Sequence, residues 1–339
     1  MSKKKNRSHK TQPNVQSTDI STVETEHVES FTETQTYSET DVDKSTDEIL
    51  DELAAMPAPN KRRVWEVDFL RGFLILFVVW DHFMWDVVYP YPGNYQTGLF
   101  QWLFKLGQSY YSGTLRATVH DTFVSLFVFL SGVSCSFSRN NFRRGVKMVV
   151  FAFALTAATY ALSAISGSNL TIRFNVIHVI AFSVLIWSGI EWIWARCDKP
   201  WKKNIFGAVV TSVIVAVLVS GYVAKYAALI AEVSGNHSLA WTTEHEFWYF
   251  LFDFSGSSGY AHFCGGDVLP FFPDFAWFLV GGFLGHALYP NKKSLFSSVN
   301  PKYLSPVTFC GRHSLWIYFG SQIVMYGLIY LLHGMFNVL

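Results

Sequence analysis

Charge is scarce in this chain. Only 15% of its 339 residues are Asp, Glu, Lys or Arg, and the formal net charge is +1. With no basic domain and no recognised binding motif, that balance gives no reason to expect nucleic acid as a partner. Cysteine is sparse too: Cys135, Cys197, Cys264 and Cys310 form no CxxC pair. The topology argued below leaves only Cys264 on the oxidising side, so no structural disulfide is expected. Metal-ligand spacing is missing as well. His237, Glu244, His245, Glu246 and His262, near Cys264, contain no HExxH and read as solvated loop residues, so no metal is expected. No GxSxG, P-loop or Rossmann glycine pattern stands in a credible context. No cleavable signal pattern opens the chain, which leaves the first membrane helix to direct insertion.

What the chain does have is apolar surface: 50% of residues are hydrophobic and 17% aromatic, and the mean hydropathy is +0.23. A polar tail dilutes that average. Residues 1–60 are rich in Ser, Thr, Glu and Asp and open on the basic Ser2-Lys3-Lys4-Lys5-Asn6-Arg7. Such a segment cannot bury enough apolar surface to offset its ordering entropy, so it is expected to be a disordered cytoplasmic tail with a short helix around Thr46 to Ala55. The remainder, 61–339, is the membrane domain. Apolar runs at about 67–89, 118–137, 146–165, 175–195, 205–231, 275–289 and 306–334 predict an all-α polytopic membrane protein with about seven transmembrane helices. Between the first two, Gly98 to Tyr111 has a helical apolar face and is expected to lie at the interface.

Basic residues set the orientation. Lys61, Arg62 and Arg63 precede the first span. Arg139, Arg143, Arg144 and Lys147 follow the second, Arg196, Lys199, Lys202 and Lys203 the fourth, and Lys292, Lys293 and Lys302 the sixth. The alternate loops hold only Lys105, Arg116 and Arg173. A cytoplasmic N-terminus and an extracytoplasmic C-terminus follow from the positive-inside rule.

Against that apolar background the first span carries Asp68, Arg71, Asp81, His82 and Asp86. Arg71 and His82 are eleven positions apart, about three turns, so they share a helix face that Asp68 and Asp86 extend. Their separation along the axis is about 16 Å, roughly half the hydrocarbon core. A cation near the cytoplasmic surface and an imidazole towards the other side thus line one polar stripe. The bland alternative is an arginine that snorkels and a histidine that bonds a neighbouring helix.

Arg71, ten residues, then His82 resembles the first-helix motif of the membrane acyltransferase type three clan. The fuller Val67-Asp68-Phe69-Leu70-Arg71-Gly72 is similar, more narrowly, to bacterial relatives of heparan-alpha-glucosaminide N-acetyltransferase. Four later strings extend the likeness, in family order. His120-Asp121 leads into an aromatic-rich second span ending Ser131-Gly132-Val133-Ser134, whose small residues suit close helix packing. Arg173-Phe174-Asn175-Val176-Ile177-His178 has asparagine where the family has glycine. Asp267-Val268-Leu269-Pro270-Phe271-Phe272-Pro273 precedes Asp274, where an aromatic is usual. Gly311-Arg312-His313-Ser314-Leu315-Trp316-Ile317-Tyr318 opens the last helix, and beyond it Ser321-Gln322-Ile323 stands where the family has His-Gln-Pro.

The resemblance spans about Arg62 to Leu331. It implies acetyl transfer from cytoplasmic acetyl-CoA, as co-substrate, to an amine or hydroxyl of an extracytoplasmic sugar. On that reading His82 is the general base or carries the acetyl group transiently. Asp121 orients His82 or His120, unless it is only a carboxylate favoured at a helix start. Arg71 and Arg312, with Asp68 and Ser314 beside them, hold the CoA phosphates, although Arg312 also fits an inner-face positive charge. Asp267, Asp86, His178 and Gln322 are acceptor candidates, with His178 equally an interfacial anchor. The bilayer is a partner throughout, and a homo-oligomer is left open. Two rivals stand beside the enzyme: a secondary transporter using the same charges as a proton relay, and a catalytically silent scaffold.

Overall fold

The computed structural model describes residues 64–89, 98–166, 171–236, 245–254, 263, 267–296 and 301–336. All belong to the unit Lys61–Leu339. The 1–60 tail, its short helix, His237, Glu244, His262 and Cys264 lie outside the described residues.

Those residues build helices: α1 Trp65–Val88, α2 Gly98–Ser112, α3 Thr114–Val133, α4 Asn141–Ser166, α5 Val176–Arg196, α6 Pro200–Lys225, α7 Ala227–Ser234, α8 Glu246–Tyr249, α9 Asp274–Leu288, α10 Ser305–Arg312 and α11 Ser314–Phe336. Among the described residues there is no strand, only an isolated parallel bridge between Phe174 and Val268. Each of the seven apolar runs coincides with a helix. The fifth continues past Tyr226 as α7, and the last is broken at His313. Among the described residues four helices are long and apolar enough to cross a membrane: Thr118–Phe137, Asn141–Ile165, Val176–Arg196 and Pro200–Lys225. Helix α1 is as long, 24 residues, but carries the charges noted above. Outward-facing Val150, Phe153, Tyr160 and Ile165 on α4 and Val209, Val213, Val219 and Val223 on α6 are the surface a bilayer would cover.

Two helix crossings bring backbone against backbone. At the first, a Cβ on Gly311 of α10 would strike the Asp68 carbonyl, and one on Gly72 of α1 would strike the Val307 carbonyl. Only glycine at both positions lets α10 lie flat on α1. At the second, Gly132 of α3 meets the Phe278 carbonyl and Gly281 of α9 meets the Phe129 carbonyl. Here the Ser-Gly pattern of the second span does the packing expected of it. The largest apolar core lies between α3, α5 and α9, with Val128, Val179, Val184, Phe278 and Leu279 at 1% exposure or less. A smaller one joins α1, α4, α5 and α11 around Ile75, Ala152, Ile177 and Tyr318.

Irregular backbone is tied down where it approaches the site. Leu269 N–H donates to the Phe174 carbonyl at 3.0 Å, and Phe271 and Phe272 N–H donate to Phe250 and Leu251, each at 2.8 Å. This lays the 267–272 segment across the N-terminal end of α5. Glu66, buried in the first turn of α1, accepts from Leu295 N–H at 2.7 Å and Ser294 Oγ at 2.8 Å, which anchors the chain after α9.

Candidate functional site

Two cavities share a wall. The one at the His82 end of α1, called the outer cavity, is bounded by α1 (Ile75, Val78, Asp81, His82), α3 (His120, Phe123, Val124) and the 267–269 segment. The one at the Arg71 end, called the inner cavity, is lined by Arg71, Ser131, Arg144, Met148, Ser314 and Leu315. Phe127, Val176 and Tyr318 line both. Helical geometry separates Arg71 and His82 into different chambers, with α1 running alongside both.

In the outer cavity His82 packs edge-on against Tyr318, ring centroids 5.8 Å apart, and among the described residues has no hydrogen-bonding partner. Asp121 lies against His120, not His82: His120 Nδ1 is 3.3 Å from Asp121 Oδ1, and Lys225 pairs with the same carboxylate. On its other side His120 Nε2 lies 3.7 Å from Asp81 Oδ2. Carboxylates thus face both nitrogens of His120.

Asp81 is the hub of this end of the molecule, which the sequence had noted as a charge in the span without assigning it a role. Arg116 grips its carboxylate with Nε and Nη2, both at 3.0 Å. Tyr110 Oη donates to Oδ1 at 2.9 Å, and Tyr111 Oη donates to the Asp81 carbonyl at 3.1 Å. Burial, then the Asp81 charge, pushes both phenols well above the usual tyrosine range, so they remain donors. Helix α2 is held on α1 by these bonds and by Gly107, set against Met84 and Val88.

Asp267 completes the outer cavity. Its Oδ2 accepts from Tyr318 Oη at 3.1 Å and from Asn175 Nδ2 at 3.2 Å. Asn175, the departure from the family's glycine, also caps α5, its Oδ1 accepting from Ile177 N–H at 3.2 Å. Tyr318 stands one turn past Ser314, and that i, i+4 pair was legible inside the quoted motif as two groups on one face of α11.

In the inner cavity Arg71 Nη2 donates to Ser314 Oγ at 2.8 Å, while its buried Nε has no partner. Arg312 is not among the lining residues. It donates from Nε to Asp68 Oδ2 at 3.3 Å and is 42% exposed.

The remaining candidates lie apart. His178 lines neither cavity: 1% exposed, it sits 3.0 Å from Thr156 Oγ1 through Nε2, and its Nδ1 lies 3.0 Å from Asn175 Oδ1 and 3.3 Å from the Asn175 backbone nitrogen. Thr156 Oγ1 also donates to the Ile172 carbonyl at 2.9 Å, and these contacts tie α4 to α5. Asp86 is buried with Oδ2 unpartnered, and Gln322 has a buried, unpartnered Nε2; neither lines the two cavities. Asp274 accepts from Ser125 Oγ at 2.7 Å, a structural bond between α9 and α3. Among the described residues no group of three His, Cys, Asp or Glu stands ready to hold a metal ion.

The family described as heparan-alpha-glucosaminide N-acetyltransferase, catalytic, matches residues 63–323. No curated protein and no solved structure matches the chain.

Proposed function

Because the chain belongs to the heparan-alpha-glucosaminide N-acetyltransferase catalytic family, we propose that it is an integral membrane acyltransferase. Its donor is cytoplasmic acetyl-CoA, and its acceptor is an amine or hydroxyl of an extracytoplasmic sugar. The observation that supports this reading is the pair of cavities on either side of Phe127, Val176 and Tyr318, one lined by His82, which has no hydrogen-bonding partner among the described residues, and one by Arg71, whose Nε is unbonded. A transfer between substrates arriving from opposite faces needs that division.

The acceptor enters the outer cavity, where Asp267, itself held by Tyr318 and Asn175, accepts a hydrogen bond from one of its hydroxyl or amino groups. His82 takes the proton from the attacking nitrogen or oxygen as the new bond forms to the thioester carbonyl carbon. Collapse of the tetrahedral intermediate breaks the carbon–sulfur bond, and the proton on His82 passes to the leaving thiolate. The acceptor gains an acetyl group, the donor leaves as a thiol, and no redox partner is required. His120, faced by carboxylates on both sides, fixes the rim and leaves the base role to His82. The donor's charged end remains in the inner cavity at Arg71 and Ser314, about 16 Å along α1 from His82, a distance an extended arm must span.

The orientation belongs to the same proposal. All seven apolar runs cross the bilayer, the N-terminus and the 1–60 tail are cytoplasmic, and the C-terminus is outside, as the basic-residue asymmetry requires. Purified full-length protein, supplied with acetyl-radiolabelled acetyl-CoA and a panel of amino sugars and neutral sugars, is expected to label the sugar. Uptake of unmodified sugar into proteoliposomes with no label transferred would replace the enzyme by a transporter.

A further inference from the structure

Arginine 144 belongs, by sequence, to a run of basic residues after the second span whose ordinary meaning is topology. The structure separates it from that run. Arg143 and Lys147 are exposed on α4, but Arg144 turns inward to line the cavity that contains Arg71. The cause is the rotation of α4. Asn141, buried in its first turn, donates to both carboxylate oxygens of Glu191 at 2.9 and 3.0 Å and to the Cys135 carbonyl at 3.1 Å. One turn on, Gly145 abuts Leu185 of α5 closely enough to leave no room for a Cβ. With that face of α4 pinned, Arg144, three residues after Asn141, is carried to the same side.

The charge around it does not balance locally. No carboxylate is among the residues lining the inner cavity. The nearest acid on α1, Asp68, is engaged by Arg312. Glu191 is occupied by Asn141, by Trp187 Nε1 at 2.8 Å and by His286. Arg144 lies close enough to Arg71 to repel it, and Asp68, although paired with Arg312, offsets only part of that repulsion. Among the described residues Arg144 makes one weak contact, Nη1 to Cys135 Sγ at 3.9 Å, and Arg71 leaves Nε unbonded. Two cations facing a shared, partly buried space with no carboxylate among its lining residues are costly unless an anion fills it. Their planar forks, with the Ser131 and Ser314 hydroxyls among the lining groups, suit a phosphate-type ligand.

We infer that Arg71 and Arg144 together form a pyrophosphate-class anion site in the inner cavity, and that Arg312 is a positioning residue that keeps Asp68 from neutralising Arg71. The identification of that anion with the donor's phosphates rests on the acyltransferase reading; the site itself does not.

The test uses inorganic pyrophosphate and the full chain in detergent, by calorimetry. Arg71→Gln and Arg144→Gln are each expected to weaken binding about tenfold or more, the loss of a charge-assisted contact. Arg312→Gln should weaken it only a few-fold, and adding Asp68→Asn should restore it, because the freed carboxylate is then gone. A direct phosphate ligand at 312 would not be rescued in that way. Arg144→Lys, which keeps the charge and loses the fork, guards against a misfolded glutamine variant and should bind with intermediate affinity. No pyrophosphate binding by the parent overturns the inference. So does parental affinity in both Arg144 variants, or an Arg312→Gln loss as deep as that of Arg71→Gln without rescue. If pyrophosphate binds as described but no acetyl transfer is seen with any sugar, the anion site stands and the acyltransferase reading fails. If transfer occurs and Arg144→Gln leaves the apparent KM for acetyl-CoA unchanged, the acyltransferase reading stands and the identification of the anion with the donor's phosphates is overturned.

Discussion

At the scale of single residues, the two ends of α1 carry different jobs and separate cleanly by mutation. His82→Ala should abolish acetyl transfer while leaving acetyl-CoA affinity within about twofold, because the imidazole lies about three turns from the inner cavity. Arg71→Ala should instead weaken acetyl-CoA binding by about ten- to hundredfold, and Arg71→Lys should recover only part of it. Affinity by calorimetry and transfer by radiolabel, on the same gel-filtered preparations, check both. Transfer surviving in His82→Ala would return the base role to His120, whose nitrogens are the other imidazole surface at the outer cavity. Distinguishing the two histidines required the structure: the sequence offers His82, His120 and Asp121 together, and only the placement of Asp81 and Lys225 shows which imidazole is already occupied.

Between elements, the site depends on how tightly helices approach and on one cap. Gly311→Leu would drive a side chain into the Asp68 carbonyl, an overlap that no rotamer relieves because the obstacle is backbone. It should separate α10 from α1 and cost about 1–3 kcal/mol or more, read as a lower thermal midpoint in detergent. An unchanged midpoint would mean that this crossing is looser than drawn. Asn175→Gly is a different case. As a helix cap, glycine is only a few tenths of a kcal/mol worse than asparagine, but Asn175 is fully buried, so loss of its side-chain bonds should lower stability by about 1–3 kcal/mol. The bond to Asp267 is among those lost, and Tyr318 alone then orients that carboxylate. The expected result is a raised KM for the sugar with kcat little changed; equal KM values would detach Asp267 from acceptor binding.

The whole molecule is organised by its two faces, and its orientation is measurable on intact cells. With the N-terminus inside, an impermeant thiol reagent should modify Cys264 and spare Cys197. The opposite pattern would invert the topology, and the depth given to each cavity with it. The 1–60 tail has a composition that forms no site, so its deletion should leave turnover of the inserted protein nearly unchanged. A loss of turnover in a correctly inserted truncation would give the tail a part in catalysis.

Much of the architecture was legible because a bilayer punishes exceptions. Long apolar runs announce helices, and an Arg and a His within one of them have no cheap reason to be there, so α1 and the unusual charges on it could be read from residue order alone. The same logic failed where several residues look alike in composition and differ only in rotation. Arg139, Arg143, Arg144 and Lys147 are one positive-inside cluster to the sequence, and only the pinning of α4 by Asn141 and Gly145 turns Arg144 inward. His178 carries a family motif, yet packing of α4 on α5 makes it a buried tie. Asp81 and Tyr318 acquire their importance from partners 29 to 51 positions away in the chain, Tyr110 and Asp267. Periodicity along one helix therefore determined which groups share a face, by covalent geometry. Which of them meet a cavity, and which are consumed by a neighbour's hydrogen bond, depended on the closest approach of α1 to α10 and of α3 to α9, contacts that exist only once the chain has folded.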